Sequence, residues 1–488
     1  MDYGKYGLKA YGALPNKKQM EWFRRGRSIF FHFGMNTFTD KEWGDGTESP
    51  EMFNPTDCDV DSWVKSIFEA GFELAILTAK HHDGFCLWQT KYTEHSIKNS
   101  PYKNGKGDIV REFTDACKKY GVKAGIYLSP WDRHEKTWGT PEYNDFYVGQ
   151  LTELLTNYGE IWECWWDGAG STEAVYDWER WACTVHALAP NAVIFGSLGA
   201  TPWVDVRWVG NEKGIAGEPC YATIDASSLV YEYTTELNSG KAGGERFIPA
   251  EADVSIRPGW FYHKEEEPHS LERLFNTYLR TVGNNSTFNL NIPPMPNGKF
   301  DPRDLERLKE LGELIRTEFK TNLAEGISFE TLSGYGETQP EYVLKLNKKE
   351  TIKYIEIAER ISEGQRVESF VVFFKNKDNL WDEAEKNMIL KEYGIPVYGM
   401  TLYENRFYSE KLEYWILWNS EISGFDKIII PKSKWLLFHT PTMKAIDIQE
   451  NIDKVFDMFL PSSKFNIREI PELEYYHDGV TDILIPIE

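Results

Sequence analysis

Apolar and polar positions along this 488-residue chain follow two rhythms that meet near residue 325. Up to that point, short apolar runs alternate with longer stretches whose apolar residues recur three and four apart. SIFFHFG (28–34) reads as a first strand after a polar leader, and CDVDSWVKSIFEAGF (58–72) as its helix, stopped by Gly71. FELAILTAK (72–80), VKAGIYLSP (122–130) and IWECWWD (161–167) read as strands two to four. Between them lie the helices GDIVREFTDACKKYG (107–121), opened by Asp108 and closed by Gly121, and YNDFYVGQLTELLTNYG (143–159). The helix EAVYDWERWACTVHALAP (173–190) and the strands NAVIFGS (191–197) and DVRWVGNE (205–212) follow, then a loop-rich region to about 267. LERLFNTYLRTVGNN (271–285), STFNLNIPP (286–294) and DPRDLERLKELGELIRTEF (301–319) complete the series as helix, strand and helix.

Such alternation predicts an α/β fold with a parallel sheet. Eight strands are reached when one is placed within 220–256, which makes residues 1–324 a (β/α)8-like barrel. From 325 to 488 the runs shorten and alternate with period two, as in YVLKLN, TIKYIEIAE, ESFVVFF, YWILWN and FDKIIIP. With polar turns between them, these predict a C-terminal β-sandwich domain.

Composition narrows the function. The net charge of −22 repels phosphate backbones and excludes nucleic acid as a partner. The 18 Trp and 15% aromatic content exceed what a core needs, and flat rings suit the C–H faces of sugars. Six cysteines form no C-x-x-C pair and several lie in apolar patterns, which predicts buried free thiols. No apolar stretch approaches the length of a membrane span, and the N-terminus lacks the layout of a signal peptide. The expectation is a cytoplasmic protein if the chain is complete, and a secreted or periplasmic one if a signal peptide was removed.

Barrel strands end at the catalytic face, so the candidate chemistry lies where apolar runs stop. Asp167 directly follows IWECWW, and Glu212 ends DVRWVGNE. Two carboxyls at one rim suit glycoside hydrolysis, which needs a nucleophile or base and an acid. Asp83 and Asp132 also follow strands and compete for these roles or serve to orient them. His81 and His82 in AKHHDGF could suggest a metal, but adjacent residues on an extended segment point opposite ways and lack i, i+4 spacing. A hydrogen-bonding role is expected instead, with a core histidine as the ordinary alternative. His32 lies near the end of the first strand, and Trp43, Trp165 and Trp260 lie at strand ends or in the loops above them.

In order, the segments HFGMNTFTDKEWGDG, KHHDGFCLW, GIYLSPWD, WWDGAG, RWVGNE, RPGWFYH and NLNIPPMPNG resemble the retaining α-L-fucosidases of glycoside hydrolase family 29. The resemblance runs from about residue 16 to 323, and the β-rich tail fits the family's usual C-terminal sandwich. It implies Asp167 as nucleophile and Glu212 as acid/base. It also implies that His32, Glu42, Trp43, His81, His82 and Tyr127 bind the fucose hydroxyls, that Trp260 packs on the C5 methyl, and that Trp165 lines the pocket. No metal or organic cofactor is implied. The GNE context and HFGMNTF, in place of His-Trp-Gly, look like the branch acting on α-1,3/1,4-linked fucose of Lewis-type glycans. The competing expectations are a broad-specificity fucosidase, a carbohydrate-binding protein on a degenerate barrel, and a metal-dependent barrel hydrolase.

Overall fold

Eight parallel strands close on one another in the N-terminal part of the chain, each beside its neighbours in sequence, the last beside the first. They are β1 (Arg27–Phe31), β2 (Leu74–Lys80), β3 (Lys123–Leu128), β4 (Ile161–Trp166), β5 (Val193–Gly196), β6 (Val206–Trp208), β7 (Ala250–Ser255) and β8 (Thr287–Asn291). The computed structural model describes residues 11–170, 174–196, 203–225, 235–328, 330–332, 341–346, 351–365, 398–403, 412–417, 434–440, 455, 473–477 and 480–487.

Strand alternation sorts the barrel into two apolar layers. Phe30, Leu74, Ile76, Tyr127, Trp165, Val193, Phe195 and Val206 pack together inside it. Phe31, Leu77, Ile126, Cys164, Trp166 and Ile194 face outward, in the cluster that includes Trp63, Ile67, Phe113, Leu151, Trp181 and Val185 of the surrounding helices. Asp59, Asp108, Asp177, Ser270 and Asp301 each accept a main-chain N–H at a helix start, contributing about 1 kcal/mol apiece.

Three local features differ from the sequence pattern. The strand missing from 220–256 is β7, whose alternate residues Glu251, Asp253 and Ser255 are all polar and buried, so it lacks an apolar signature. β6 spans only three residues, which leaves Glu212 in the turn after it rather than at a strand end. The polar leader contains the helix Lys17–Phe23, capped by Asn16, and its Trp22 joins the apolar cluster inside the barrel.

The chain divides into two compact units, 1–350 with 356–368, and 351–355 with 369–488. The first also holds the antiparallel pair Glu330–Leu332 and Glu341–Val343. In the second, Leu412–Leu417, Tyr398–Tyr403, Leu473–His477, Val480–Ile487 and Lys434–Thr440 form one five-stranded antiparallel sheet in that order. A sandwich needs a second sheet, and the described residues of this unit form this one; the strands expected at ESFVVFF and FDKIIIP lie outside the described residues. Residues 351–359 take no strand conformation.

Candidate active site

Inward-facing positions continue past the strand ends and build the site. Asp167 follows Glu163 and Trp165 on one face of β4 and is the first residue after that strand. Its Oδ2 accepts the Tyr127 hydroxyl at 3.0 Å and its Oδ1 the Ala169 N–H at 2.8 Å. His82 Nε2 stands 3.7 Å from Oδ2, and the Asp167 side chain keeps 27% exposure, enough to reach a ligand. Glu212 lies within electrostatic reach: burial raises its carboxyl pKa, the Asp167 charge adds to this, and a hydrogen bond with Trp260 opposes it.

The double histidine does not behave as an extended pair. The chain leaves β2 at Lys80 and turns, so the rings of His81 and His82 lie 4.1 Å apart, and both are packed against Tyr127. The turn needs Gly84, which has φ +78° and whose missing side chain leaves room for Asp132.

Neighbours assign the ring protons. Ser129 gives its only hydroxyl proton to the Trp131 carbonyl at 2.6 Å, so it accepts from His82 Nδ1 at 2.7 Å, leaving His82 Nε2 an acceptor. Asn291 donates through Nδ2 to Ser255 and the Trp260 carbonyl, so its Oδ1 accepts from His32 Nδ1 at 2.8 Å. Asn36 donates to the Glu42 carbonyl and to His81 Nδ1 at 3.2 Å, which leaves His81 Nε2 a donor. Burial lowers all three pKa values, to about 4 for His32, so the rings are neutral at neutral pH.

Glu42 accepts the N–H groups of Trp260 and Phe261 at 2.9 and 3.1 Å, and His263 Nε2 at 2.7 Å. Trp260 thus has its backbone tied to Glu42 while its ring lies 5.1 Å from His32. Trp43, 55% exposed, meets Trp131 edge-on at 5.5 Å and forms an open wall. Trp165, only 5% exposed, is instead a floor, stacked on Phe195 at 3.9 Å and on Tyr127 at 5.4 Å.

The competing acids have other partners. Asp132 forms a buried ion pair with Lys80 at 2.8 Å and accepts the N–H groups of His134 and Glu135. Asp83 is buried and accepts the Phe85 N–H at 2.8 Å. Among the described residues, no group of three or more His, Cys, Asp or Glu is arranged to hold a metal ion.

The sequence profile described as Alpha-L-fucosidase matches residues 3–318. The chain belongs to the alpha-L-fucosidase family, glycoside hydrolase family 29. It is 42% identical over 388 residues to Alpha-L-fucosidase 1 of Arabidopsis thaliana, covering 73% of this chain and 76% of that one. The Ruminococcus gnavus GH29 fucosidase solved in complex with fucose is 34% identical, with a TM-score of 0.61, covering 67% of this chain and 73% of that one. The crystal structure of SpGH29 is 40% identical, with a TM-score of 0.63, covering 66% and 74%.

In this fucosidase-family barrel several residues escaped the motif reading, among them Asn36, Ser129, Asn291 and His263, which orient other site residues. Asn289 and Asn291 did leave a trace: they are polar residues at alternate positions of the strand TFNLN, as are Glu251, Asp253 and Ser255 in AEADVS. Inside a barrel, that alternation marks an inward polar face.

Asp83 provides a stability test. Burial, opposed by the Phe85 hydrogen bond and reinforced by Glu48 and Asp132, raises its pKa from 3.8 to about 7. A raised carboxyl contributes stability that is present below 3.8 and is lost as pH rises through 7, amounting to roughly 4 kcal/mol. Asp83→Asn retains the acceptor for Phe85 and removes the ionisable group. The melting temperature of this variant relative to wild type is expected to climb between pH 4 and 8; a pH-independent difference refutes the shift.

Proposed function

We propose that the chain is a retaining exo-α-L-fucosidase that releases α-1,3/1,4-linked L-fucose from branched, Lewis-type glycans by double displacement. The observation that carries this reading is the unlike pair of carboxyls, Asp167 held by Tyr127 and Ala169, and Glu212 with a raised pKa. Asp167 attacks the anomeric carbon as the bond to the leaving oxygen breaks, and Glu212 gives that oxygen its proton. Glu212 then takes a proton from water, whose oxygen displaces Asp167 and frees fucose.

The neighbouring groups suit a small polyol with one apolar corner. His32 and His82 offer acceptors and His81 a donor, so the three rings read a fixed pattern of hydroxyl donors and acceptors. Glu42 and Tyr127 add polar contacts, Trp165 closes the floor, Trp43 the open side, and Trp260 packs on the C5 methyl. The linkage reading is supported by HFGMNTF, whose Asn36 joins the Glu42 backbone to His81. No metal or organic cofactor enters any step.

Lewis a or Lewis x trisaccharide, an aryl α-L-fucoside and a 2-linked fucoside, compared under one set of conditions, test the proposal. Fastest release from the Lewis glycan is expected, with α-fucose appearing first in the proton NMR spectrum. β-Fucose as first product overturns retention, and rapid turnover of the aryl or 2-linked substrate overturns the linkage reading in favour of broad specificity. No fucose from any of them makes the protein a carbohydrate-binding one.

A further inference from the structure

Below the candidate nucleophile, the barrel interior holds two carboxyls that the proposed chemistry does not use. Glu163 on β4 and Glu251 on β7 are both fully buried and close enough for each to act on the other's ionisation. Glu163 Oε2 accepts the Trp22 indole N–H at 2.9 Å. Glu251 Oε1 accepts two donors, the Trp165 indole N–H at 2.8 Å and Asn289 Nδ2 at 3.0 Å. The remaining oxygens, Glu163 Oε1 and Glu251 Oε2, are buried without a protein donor.

Two carboxylates cannot bond to one another without a proton, and two buried like charges in contact are strongly disfavoured. One proton between Oε1 of Glu163 and Oε2 of Glu251 satisfies both orphaned atoms. Its location follows from the donors: the carboxyl that already accepts two N–H groups is better stabilised as the anion than the one accepting a single N–H. Burial raises both pKa values, which favours keeping one proton on the pair.

We propose that Glu163 and Glu251 share one proton, carried by Glu163, and that the Glu251 carboxylate is a positioning residue that acts through Trp165 on Asp167. The linkage is continuous. Glu251 fixes the Trp165 indole, Trp165 stacks on Tyr127, and the Tyr127 hydroxyl holds Asp167 Oδ2. Trp22, anchored to Glu163, connects the same linkage to the N-terminal helix. The functional half of this inference rests on Asp167 being the nucleophile; the shared proton does not.

Two isosteric variants separate the roles. Glu163→Gln keeps a donor toward Glu251 and leaves the charge where Trp165 needs it, so kcat and KM are expected to stay within about twofold of wild type. Glu251→Gln turns its amide toward Glu163, moves the charge away from Trp165, and is expected to lower kcat about tenfold with KM nearly unchanged, since small displacements of reacting groups are costly. A purely structural pair would respond alike to both substitutions, so equal effects, or a greater loss in Glu163→Gln, overturn the positioning role. Infrared spectra of protein carrying 13C-labelled glutamate test the proton without any activity. The band of one protonated carboxyl is expected in the wild-type minus Glu163→Gln difference at neutral pH, and its absence overturns the shared proton even if Glu251→Gln fails to fold.

Discussion

Asp167→Ala is expected to reduce kcat on an α-L-fucoside by about a thousandfold or more, because the proposed mechanism makes Asp167 the group that forms the covalent intermediate. The fold should survive the change. Asp167 keeps 27% side-chain exposure and is part of no close ion pair, so the change removes one acceptor each from the Tyr127 hydroxyl and the Ala169 N–H and leaves no buried charge unpaired. Stability should therefore fall by no more than a typical point substitution costs, roughly 1 kcal/mol, with a correspondingly small drop in melting temperature. Steady-state kinetics with thermal unfolding of the same preparation checks both halves. Near-normal turnover refutes the nucleophile assignment, while lost activity with lost folding would direct attention to Tyr127 and the turn at 167–170 instead.

Glu212→Ala should produce a loss that depends on the leaving group. General acid–base catalysis contributes about 10²–10⁴-fold, and most of it is needed when the departing oxygen is a poor leaving group such as a sugar hydroxyl. Lewis trisaccharide hydrolysis should fall by that factor, whereas an aryl fucoside that departs without protonation should slow far less in the first step. Azide, which needs no general base, should then capture the fucosyl-enzyme and restore turnover, giving β-fucosyl azide. Equal slowing of all substrates without azide rescue would transfer the acid/base role to another carboxyl; buried Asp253, whose pKa burial and Glu212 both raise, is the next candidate. The raised pKa of Glu212 also keeps it protonated further toward neutral pH, so the alkaline limb of kcat/KM should lie above the range of an ordinary glutamate.

Much of this arrangement is visible in local pattern. A strand of period two, read from its apolar residues, predicts which side chains share the barrel interior, and Asp167 follows Glu163 and Trp165 on that face. The same rule fails where a strand carries few apolar residues: β7, with its polar inner face, is hidden inside a loop-rich region. It fails again where the chain stops being extended, since the turn after Lys80 brings His81 and His82 together rather than apart. Glu212 shows the limit of reading strand ends, because β6 closes at Trp208 and a turn delivers the carboxyl.

The sequence by itself therefore determined the alternation that makes the barrel, the acid just past the fourth strand, and the family motifs spaced around the rim. Only the tertiary structure decided which acids are free to act. Asp132 is tied to Lys80, Asp83 is buried, Glu163 is paired with Glu251, and Asp167 keeps an open face. It also decided which histidine nitrogen carries a proton, through partners as distant in sequence as Asn291 is from His32. The physical reason is one of range. Side-chain direction along a strand follows from backbone geometry within a few residues, whereas desolvation and hydrogen-bond satisfaction are set by whatever the fold brings alongside.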